Sequence, residues 1–117
     1  MTEAEEQRTV VEYLEWLKLP FYHVANERNC SPRRGAFLKS QGVQSGVPDI
    51  CIPVPMGNYH ALYIEMKSKS GRLSANQKRW ISILRKHGNY AEVCYGADQA
   101  IELISQYMSG RLGTATA

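Results

Sequence analysis

Residues 46–52 of this chain read GVPDICI, and residues 63–67, a short turn later, read YIEMK. Both stretches have the apolar residues and flanking turn signals of β-strands, so Asp49, Glu65 and Lys67 are predicted to lie on adjacent strands. Because side chains alternate between the two faces of a strand, Glu65 and Lys67 share one face and lie roughly 7 Å apart along it. The pattern therefore predicts that two carboxylates and an ammonium group meet at one point of a sheet.

A divalent cation would explain this group of charges. Unpaired charge in a packed sheet is costly, and Mg²⁺ prefers oxygen ligands such as carboxylates. Each part alone has an ordinary explanation, since Pro-Asp is common in turns and a solvated edge strand can carry a Glu-x-Lys pair. The combination of Asp49, Glu65 and Lys67 is more specific, and it favours metal-assisted hydrolysis of a phosphate ester.

Size and composition are those of one globular domain. The chain has 117 residues, of which 44% are hydrophobic and 21% charged, and its net charge is +3. This mildly basic balance is compatible with nucleic-acid binding without establishing it. No segment approaches the roughly 20 apolar residues of a membrane span, and the N-terminus is acidic, unlike a signal peptide.

Cysteine and histidine usage argues against a disulfide framework or a zinc site. Cys30, Cys51 and Cys94 are far apart and odd in number, and the three histidines lack zinc-ligand spacing. Cys51 and Cys94 fall in predicted strands, where we expect buried free thiols. Together these features indicate a reducing, cytoplasmic location.

The chain divides into seven predicted elements without an internal repeat. Capping boxes at Thr2-x-x-Glu5 and Ser74-x-x-Gln77 begin two helices, and residues 26–44 are predicted to be a basic loop. In chain order we predict a helix over 2–18, strands over 21–25, 47–54 and 60–67, a helix over 74–87, a strand over 90–95 and a helix over 97–108. This α-β-β-β-α-β-α order predicts an α/β fold with a central mixed four-stranded sheet flanked by helices. Residues 1–109 would form a single domain and residues 110–117 a frayed C-terminal tail.

The P-D…E-x-K pattern resembles that of the PD-(D/E)xK nucleases, and more narrowly the chain resembles a stand-alone VRR-NUC domain, the virus-type replication-repair nuclease module. The resemblance runs from about residue 6 to residue 108. It includes HVANER (23–28), LKSQGVQSGVPD (38–49), YIEMK (63–67) and GRLSANQKRW (71–80). It implies a restriction-endonuclease-like core, DNA hydrolysis with Mg²⁺ or Mn²⁺, and an origin in a phage or its bacterial host.

The resemblance also implies roles for individual residues. Asp49 and Glu65 would be the metal carboxylates, the Met66 backbone carbonyl a further ligand, and Lys67 would orient the attacking water or stabilise charge on the phosphate. Gln77 matches the family's glutamine, although it is also the expected partner of the Ser74 cap.

A third carboxylate is predicted from the first helix. Glu6 shares a helical stripe with Val10 and Tyr13, so it is expected to point toward the sheet. Because related nucleases often supply a carboxylate from this helix, the resemblance implies that Glu6 is a catalytic and metal-binding residue. Alternatively it is one of several glutamates that favour the start of the helix. Asn26 and Glu27, in the N-E-R stretch, are placed beside the site, although Glu27 could instead pair with a nearby arginine.

Basic residues around the site are expected to contact DNA phosphates, which position a protein without specifying sequence. The alternative is a solvated loop. The predicted DNA-binding residues are Arg28, Arg33, Arg34, Lys39, Lys69, Arg72 and Lys78, with Arg79 extending the rim. Exposed stacking is not expected of the aromatic side chains, which are assigned to the core or an interface: Trp16, Tyr22, Tyr59, Tyr63 and Trp80.

We therefore expect a metal-dependent, structure-selective DNA endonuclease, acting as a homodimer on four-way junctions by analogy with Holliday-junction resolvases. No membrane partner and no nucleotide cofactor are expected. Two alternatives remain open: a nuclease directed at flaps, nicks or ends, and a non-catalytic DNA-binding module on a nuclease scaffold.

Overall fold

A computed structural model describes residues 1–24 and 31–112 of the chain. Its elements are α1 (Glu3–Leu17), β1 (Tyr22–His23), α2 (Pro32–Ser40), β2 (Ile50–Ile52), β3 (Leu62–Lys67), α3 (Ala75–Lys86), β4 (Tyr90–Tyr95) and α4 (Ala97–Met108). The strands form one mixed sheet in the order β1-β2-β3-β4, in which β1, β2 and β3 pair antiparallel and β3 and β4 pair parallel. The predicted α/β class with a mixed four-stranded sheet is confirmed.

The helices lie on both faces of this sheet. α1 and α4 pack together and against β3 and β4, and their buried residues form one core cluster with Leu62, Ile64 and Met66. We call this side the α1/α4 face. Tyr63, Glu65 and Lys67 alternate with those residues and so point to the other side. There α3 packs against β4, and we call it the α3 face.

One predicted loop contains a helix. Within residues 26–44, predicted to be loop, Pro32–Ser40 forms α2. The Ser31 side chain caps it by accepting a hydrogen bond from the Arg34 N–H at 3.2 Å, and Pro32 occupies the first turn, where a missing N–H costs nothing. α2 has no buried residue, so it lacks the apolar stripe by which helices are recognised in a sequence.

Three strands are shorter than predicted, β3 by the two residues before Leu62. β1 is confined to Tyr22–His23, inside the predicted span 21–25, and β2 to Ile50–Ile52, inside 47–54. Pro48 and Pro53 flank β2, and proline cannot donate to a strand ladder. The strand at 90–95 and the helix at 97–108 have the predicted bounds.

The chain end is described as far as residue 112. Within the predicted tail, Leu112 packs against the core cluster. The two cysteines that the structure describes, Cys51 and Cys94, are buried free thiols, as predicted. In the described part of the chain, no helix has the length and apolar character needed to cross a membrane.

Candidate active site

Asp49 and Glu65 face each other at the start of the β2–β3 pair. Ile50 pairs with Ile64 in antiparallel register, so the preceding residue, Asp49, lies opposite the following one, Glu65. Directly opposed residues share a face, with Cβ atoms about 4.5–5.5 Å apart. Asp49 is 5% exposed and Glu65 1% exposed. Strand register therefore brings together two buried acids that are far apart along the chain.

Backbone contacts hold Asp49 in place from both neighbouring strands. Its Oδ2 accepts a hydrogen bond from the Met66 N–H at 2.8 Å. Its carbonyl oxygen accepts from the Val24 N–H at 2.8 Å and lies 2.9 Å from His23 Nδ1. Within residues 1–24 and 31–112, no donor reaches Oδ1. One carboxylate oxygen is thus anchored, and the other is available to a ligand.

Lys67 and Gln77 both reach the same oxygen of Glu65. The Lys67 Nζ lies 4.0 Å from Glu65 Oε2, and Gln77 Nε2 donates to that atom at 3.4 Å. Lys67 and Gln77 are themselves 5% and 4% exposed. The structure therefore brings together Asp49, Glu65, Lys67 and Gln77, four of the five predicted catalytic side chains.

Gln77 is both the partner of the Ser74 cap and a neighbour of Glu65. Its Oε1 accepts the Ser74 N–H at 2.8 Å, while the Ser74 Oγ accepts the Gln77 N–H at 3.1 Å. This capping box fixes the side chain, and the remaining amide group points to Glu65. The cap therefore orients the Gln77 side chain toward Glu65.

The Met66 carbonyl is oriented toward the same place. Along a central strand, successive residues direct their backbone groups to alternate neighbouring strands. Lys67 faces β4, because its carbonyl accepts the Gly96 N–H at 3.0 Å, so Met66 faces β2. The β2–β3 ladder ends at the Ile50–Ile64 pair, so no strand partner in the described chain donates a hydrogen bond to the Met66 carbonyl.

The side chains present suit a divalent cation. Among the described residues, the buried carboxylates of Asp49 and Glu65 lie together beside the Lys67 ammonium group, and neighbouring carboxylates repel each other unless a cation is shared between them. The donor set of carboxylate and carbonyl oxygens is the one that Mg²⁺ and Mn²⁺ prefer. The residues therefore fit the metal that the sequence pattern predicts.

Glu6 has a different partner from the one predicted. Its carboxylate accepts the backbone N–H of Ala97 at the start of α4, where Gly96 offers no side chain for a cap. A carboxylate is favourable there because it faces the positive end of the helix dipole. In the part of the chain that the structure describes, no group of three or more acidic, histidine or cysteine side chains could hold a metal. Glu6 as a ligand stays a prediction.

Gly46 is a site residue that pattern reasoning did not single out. Its φ is +94°, and a Cβ placed there would lie 2.5 Å from the backbone carbon of Asn76. The loop before Asp49 thus packs directly on the first turn of α3, which carries Gln77. The glycine directly before Val-Pro-Asp is the signal that could have revealed this close approach.

The predicted DNA-binding residues differ in how they are placed. Arg33, Arg34 and Lys39 are exposed on α2, and Lys69, Arg72 and Lys78 are exposed between β3 and the first turns of α3. Arg79 is exposed as well, with its guanidinium 5.9 Å from the Trp80 ring centroid. Asn26, Glu27 and Arg28 lie outside the described residues.

A cavity of about 660 Å³ lies beside the Asp49 position, between α1 and β1. His23, whose Nδ1 is 3.0 Å from Gln7 Nε2, belongs to its wall. Glu65, Lys67 and Gln77 do not line it. Its lining residues are Glu3, Ala4, Gln7, Arg8, Val11, His23 and Asp49.

Comparisons with known proteins agree with this geometry. The sequence model of the VRR-NUC domain matches residues 1–98. A solved structure described as a VRR_NUC domain protein is 31% identical, with a TM-score of 0.81 over 93% of this chain and 89% of that one. A second, described as VRR_NUC domain, is 22% identical, with a TM-score of 0.62 over 92% of this chain and 99% of that one, and shows the shared fold.

No curated protein matched the sequence. The family match spans both strands of the candidate site and the helix that carries Gln77. The chain therefore belongs to the VRR-NUC family, which implies a nuclease-type function with DNA as the substrate.

Proposed function

We propose that this protein is a metal-dependent endonuclease that hydrolyses phosphodiester bonds in DNA, with Mg²⁺ or Mn²⁺ as its cofactor. The observation that supports it is the buried, opposed pair Asp49 and Glu65 with the Lys67 amine 4.0 Å from Glu65. The cation would be held by these carboxylates and the Met66 carbonyl. A bound cation supplies positive charge that acidifies water and stabilises charge on the scissile phosphate.

The protein's own groups then position the reactants. Asp49 is fixed by Met66 and Val24, and Glu65 is oriented by the Gln77 amide. The Lys67 ammonium group would orient the attacking water or stabilise charge on the phosphate in the transition state. None of the four site side chains is a hydroxyl or thiol nucleophile, which supports hydrolysis by water in one displacement.

Mutation of Glu65 tests the site. Glu65→Gln keeps the size of the side chain and removes a charged oxygen ligand. We expect DNA cleavage in Mg²⁺ or Mn²⁺ to fall by at least about 100-fold, and Mn²⁺ binding measured by calorimetry to weaken. Glu12→Gln, an exposed glutamate on α1, is the matched control and should behave like the wild type. Unchanged cleavage by Glu65→Gln would show that the site is misassigned.

The finer substrate proposal is a branched DNA, with the four-way junction preferred, cut by a homodimer. It is supported by the small single domain and by exposed basic residues that flank the site. A two-fold dimer would present two sites to a branched, near-symmetric substrate. Cleavage of four-way junctions, flaps, nicked and linear duplexes should be compared, with native mass spectrometry of the assembly. Equal rates on all four, or a monomeric mass with DNA bound, would contradict this part.

The basic residues of α2 are proposed to bind DNA phosphates. Phosphate binding releases counterions, so affinity falls steeply as salt rises. Replacing Arg33 and Arg34 with Ala should reduce the slope of log affinity against log salt by about one unit for each phosphate that the protein no longer neutralises. Lys86→Ala with Arg111→Ala removes the same charge from other exposed positions. An equal effect of the two pairs would indicate a general charge effect and exclude phosphate binding by α2.

A further inference from the structure

Two tyrosines and a cysteine form a row across the sheet next to the candidate active site. In the strand register, Cys51 pairs with Tyr22 on β1 and with Tyr63 on β3. Directly paired residues share a face. The three side chains are therefore neighbours, with Cys51 in the middle.

This row lies on the same face as the acids. Tyr63 precedes Glu65 by two residues on β3, and Cys51 follows Asp49 by two residues at the start of β2. Residues two apart on a strand share a face and lie roughly 7 Å apart. The tyrosine row is thus the next row along the α3 face from the Asp49–Glu65 row.

The residues of this row differ in exposure. Cys51 is 1% exposed, whereas Tyr22 is 51% exposed. Interaction with Cys51 raises the pKa of the Tyr22 hydroxyl, and burial, followed by interaction with Cys51, raises the pKa of Tyr63. These interactions place both hydroxyls beside the Cys51 side chain. α3 packs on this face mainly against β4, the strand at the opposite edge of the sheet from β1.

Tyr22, one of the aromatic residues expected in the core or an interface, lies outside the core cluster. An aromatic ring that is half exposed, held in place by a strand and placed beside a nuclease site has the features of a stacking surface for nucleic acid. Tyrosine hydroxyls are also common donors to DNA phosphate and sugar oxygens.

We infer that the Tyr22–Tyr63 pair binds the DNA strand within one or two nucleotides of the scissile phosphate, with the Tyr22 ring stacked on a base or deoxyribose. This inference rests on the proposed function. The separation of roughly 7 Å between the rows corresponds to about two nucleotides at a rise of about 3.4 Å. Because every base has a π-face, the contact would add affinity without sequence preference.

Steady-state kinetics provide the first test. Tyr22→Ala should raise KM for the cleaved DNA about tenfold, the effect expected for loss of one stacked base, while kcat changes little. Tyr22→Phe keeps the ring and should restore KM. Trp16→Ala removes a ring that is 77% exposed on α1 and should leave KM unchanged. An unchanged KM for Tyr22→Ala, in a protein with the wild-type melting temperature, would overturn the inference.

Crosslinking provides a second test that does not require cleavage. 5-Iododeoxyuridine would be placed at successive positions of a branched DNA and irradiated with the protein carrying Glu65→Gln. We expect mass spectrometry to find the crosslink on Tyr22 at one or two nucleotides from the bond that the wild type cuts. Crosslinks that avoid Tyr22 at every position would overturn the inference. If the wild type binds DNA without cutting it, the proposed function fails, whereas the presence or absence of the Tyr22 crosslink still shows whether Tyr22 contacts the DNA strand.

Discussion

Lys67 is a buried lysine whose ion-pair partner, Glu65, belongs to its own strand. It is 5% exposed, and its Nζ lies 4.0 Å from Glu65 Oε2. At this separation the amine is at the outer limit of an ion pair. Burial of a lysine is costly even beside carboxylates, which fits a residue retained for chemistry rather than for stability.

Replacing Lys67 should separate metal binding from cleavage. Lys67→Met keeps most of the volume and removes the positive charge that competes with a cation for Glu65. We expect Mn²⁺ affinity, measured by calorimetry, to be equal to or greater than that of the wild type, while DNA cleavage falls by about 100-fold or more.

The matched control for this change is Lys39→Met, which removes an exposed lysine from α2 and should retain cleavage. Loss of Mn²⁺ binding in Lys67→Met would contradict the expectation, because it would mean that the lysine organises the site instead of acting on the substrate.

At the scale of elements, the candidate site is a junction of the β2–β3 pair with the first turn of α3. Gly46 joins them, since its missing Cβ leaves room for the backbone of Asn76. Pro48 lies two residues after Gly46 and is followed directly by Asp49. A shift of this loop would therefore change the positions of Asp49 and Gln77 together.

Gly46→Ala should be more disruptive than an otherwise similar change at Gly42. Both glycines have positive φ, +94° and +96°, but a Cβ at Gly42 would meet nothing within 4 Å. Gly42→Ala is thus expected to cost only the conformational term of about 1 kcal/mol. Gly46→Ala adds a backbone clash, and we expect a larger loss of stability together with loss of cleavage. Equal unfolding free energies in urea for the two variants would contradict this close approach.

The elements also show which helices and strands local sequence patterns can predict. α1 and α3 were predictable because capping boxes and apolar stripes coincide in them, whereas α4 was predictable from its apolar stripe alone. α2 was not predicted, since a helix without buried residues has no periodicity to detect. The site side chains on β3 were predictable because alternation is a property of the strand alone.

At the scale of the whole molecule, the α1/α4 face buries ionisable groups in their neutral form. Burial, helped by the charge of Glu92, raises the pKa of the Cys94 thiol from 9.0 to about 12. Burial likewise raises the pKa of Tyr90 and Tyr107. All three groups therefore favour the folded state only while they remain protonated.

The stability of the fold is expected to decrease in alkaline solution. Because the folded-state pKa of Cys94 is higher than the unfolded value, its contribution is complete below about pH 9 and is lost as the pH rises toward 12. We expect the melting temperature to fall across this window, and Cys94→Ala to make the fall shallower. Ile104→Val, a core change without a titratable group, should lower the melting temperature by a similar amount at every pH. An equally steep fall of the melting temperature in Cys94→Ala would contradict the assignment of this pH dependence to Cys94.

By itself, the sequence determined the α/β class, most helix and strand positions, and the placing of Glu65 and Lys67 on one strand face. These follow from side-chain periodicity, capping residues and turn residues, all of which act over a few neighbouring positions. The same local patterns, joined to the resemblance of its motifs, indicated which family to expect.

Only the tertiary structure decided which distant groups meet. It placed the Ala97 N–H on the Glu6 carboxylate and Asn76 against Gly46. It also paired Tyr22 and Tyr63 with Cys51 across the sheet. The physical reason is that these contacts depend on strand register and on how helices pack against the sheet. Register and packing are set by the whole buried core rather than by any short stretch of chain.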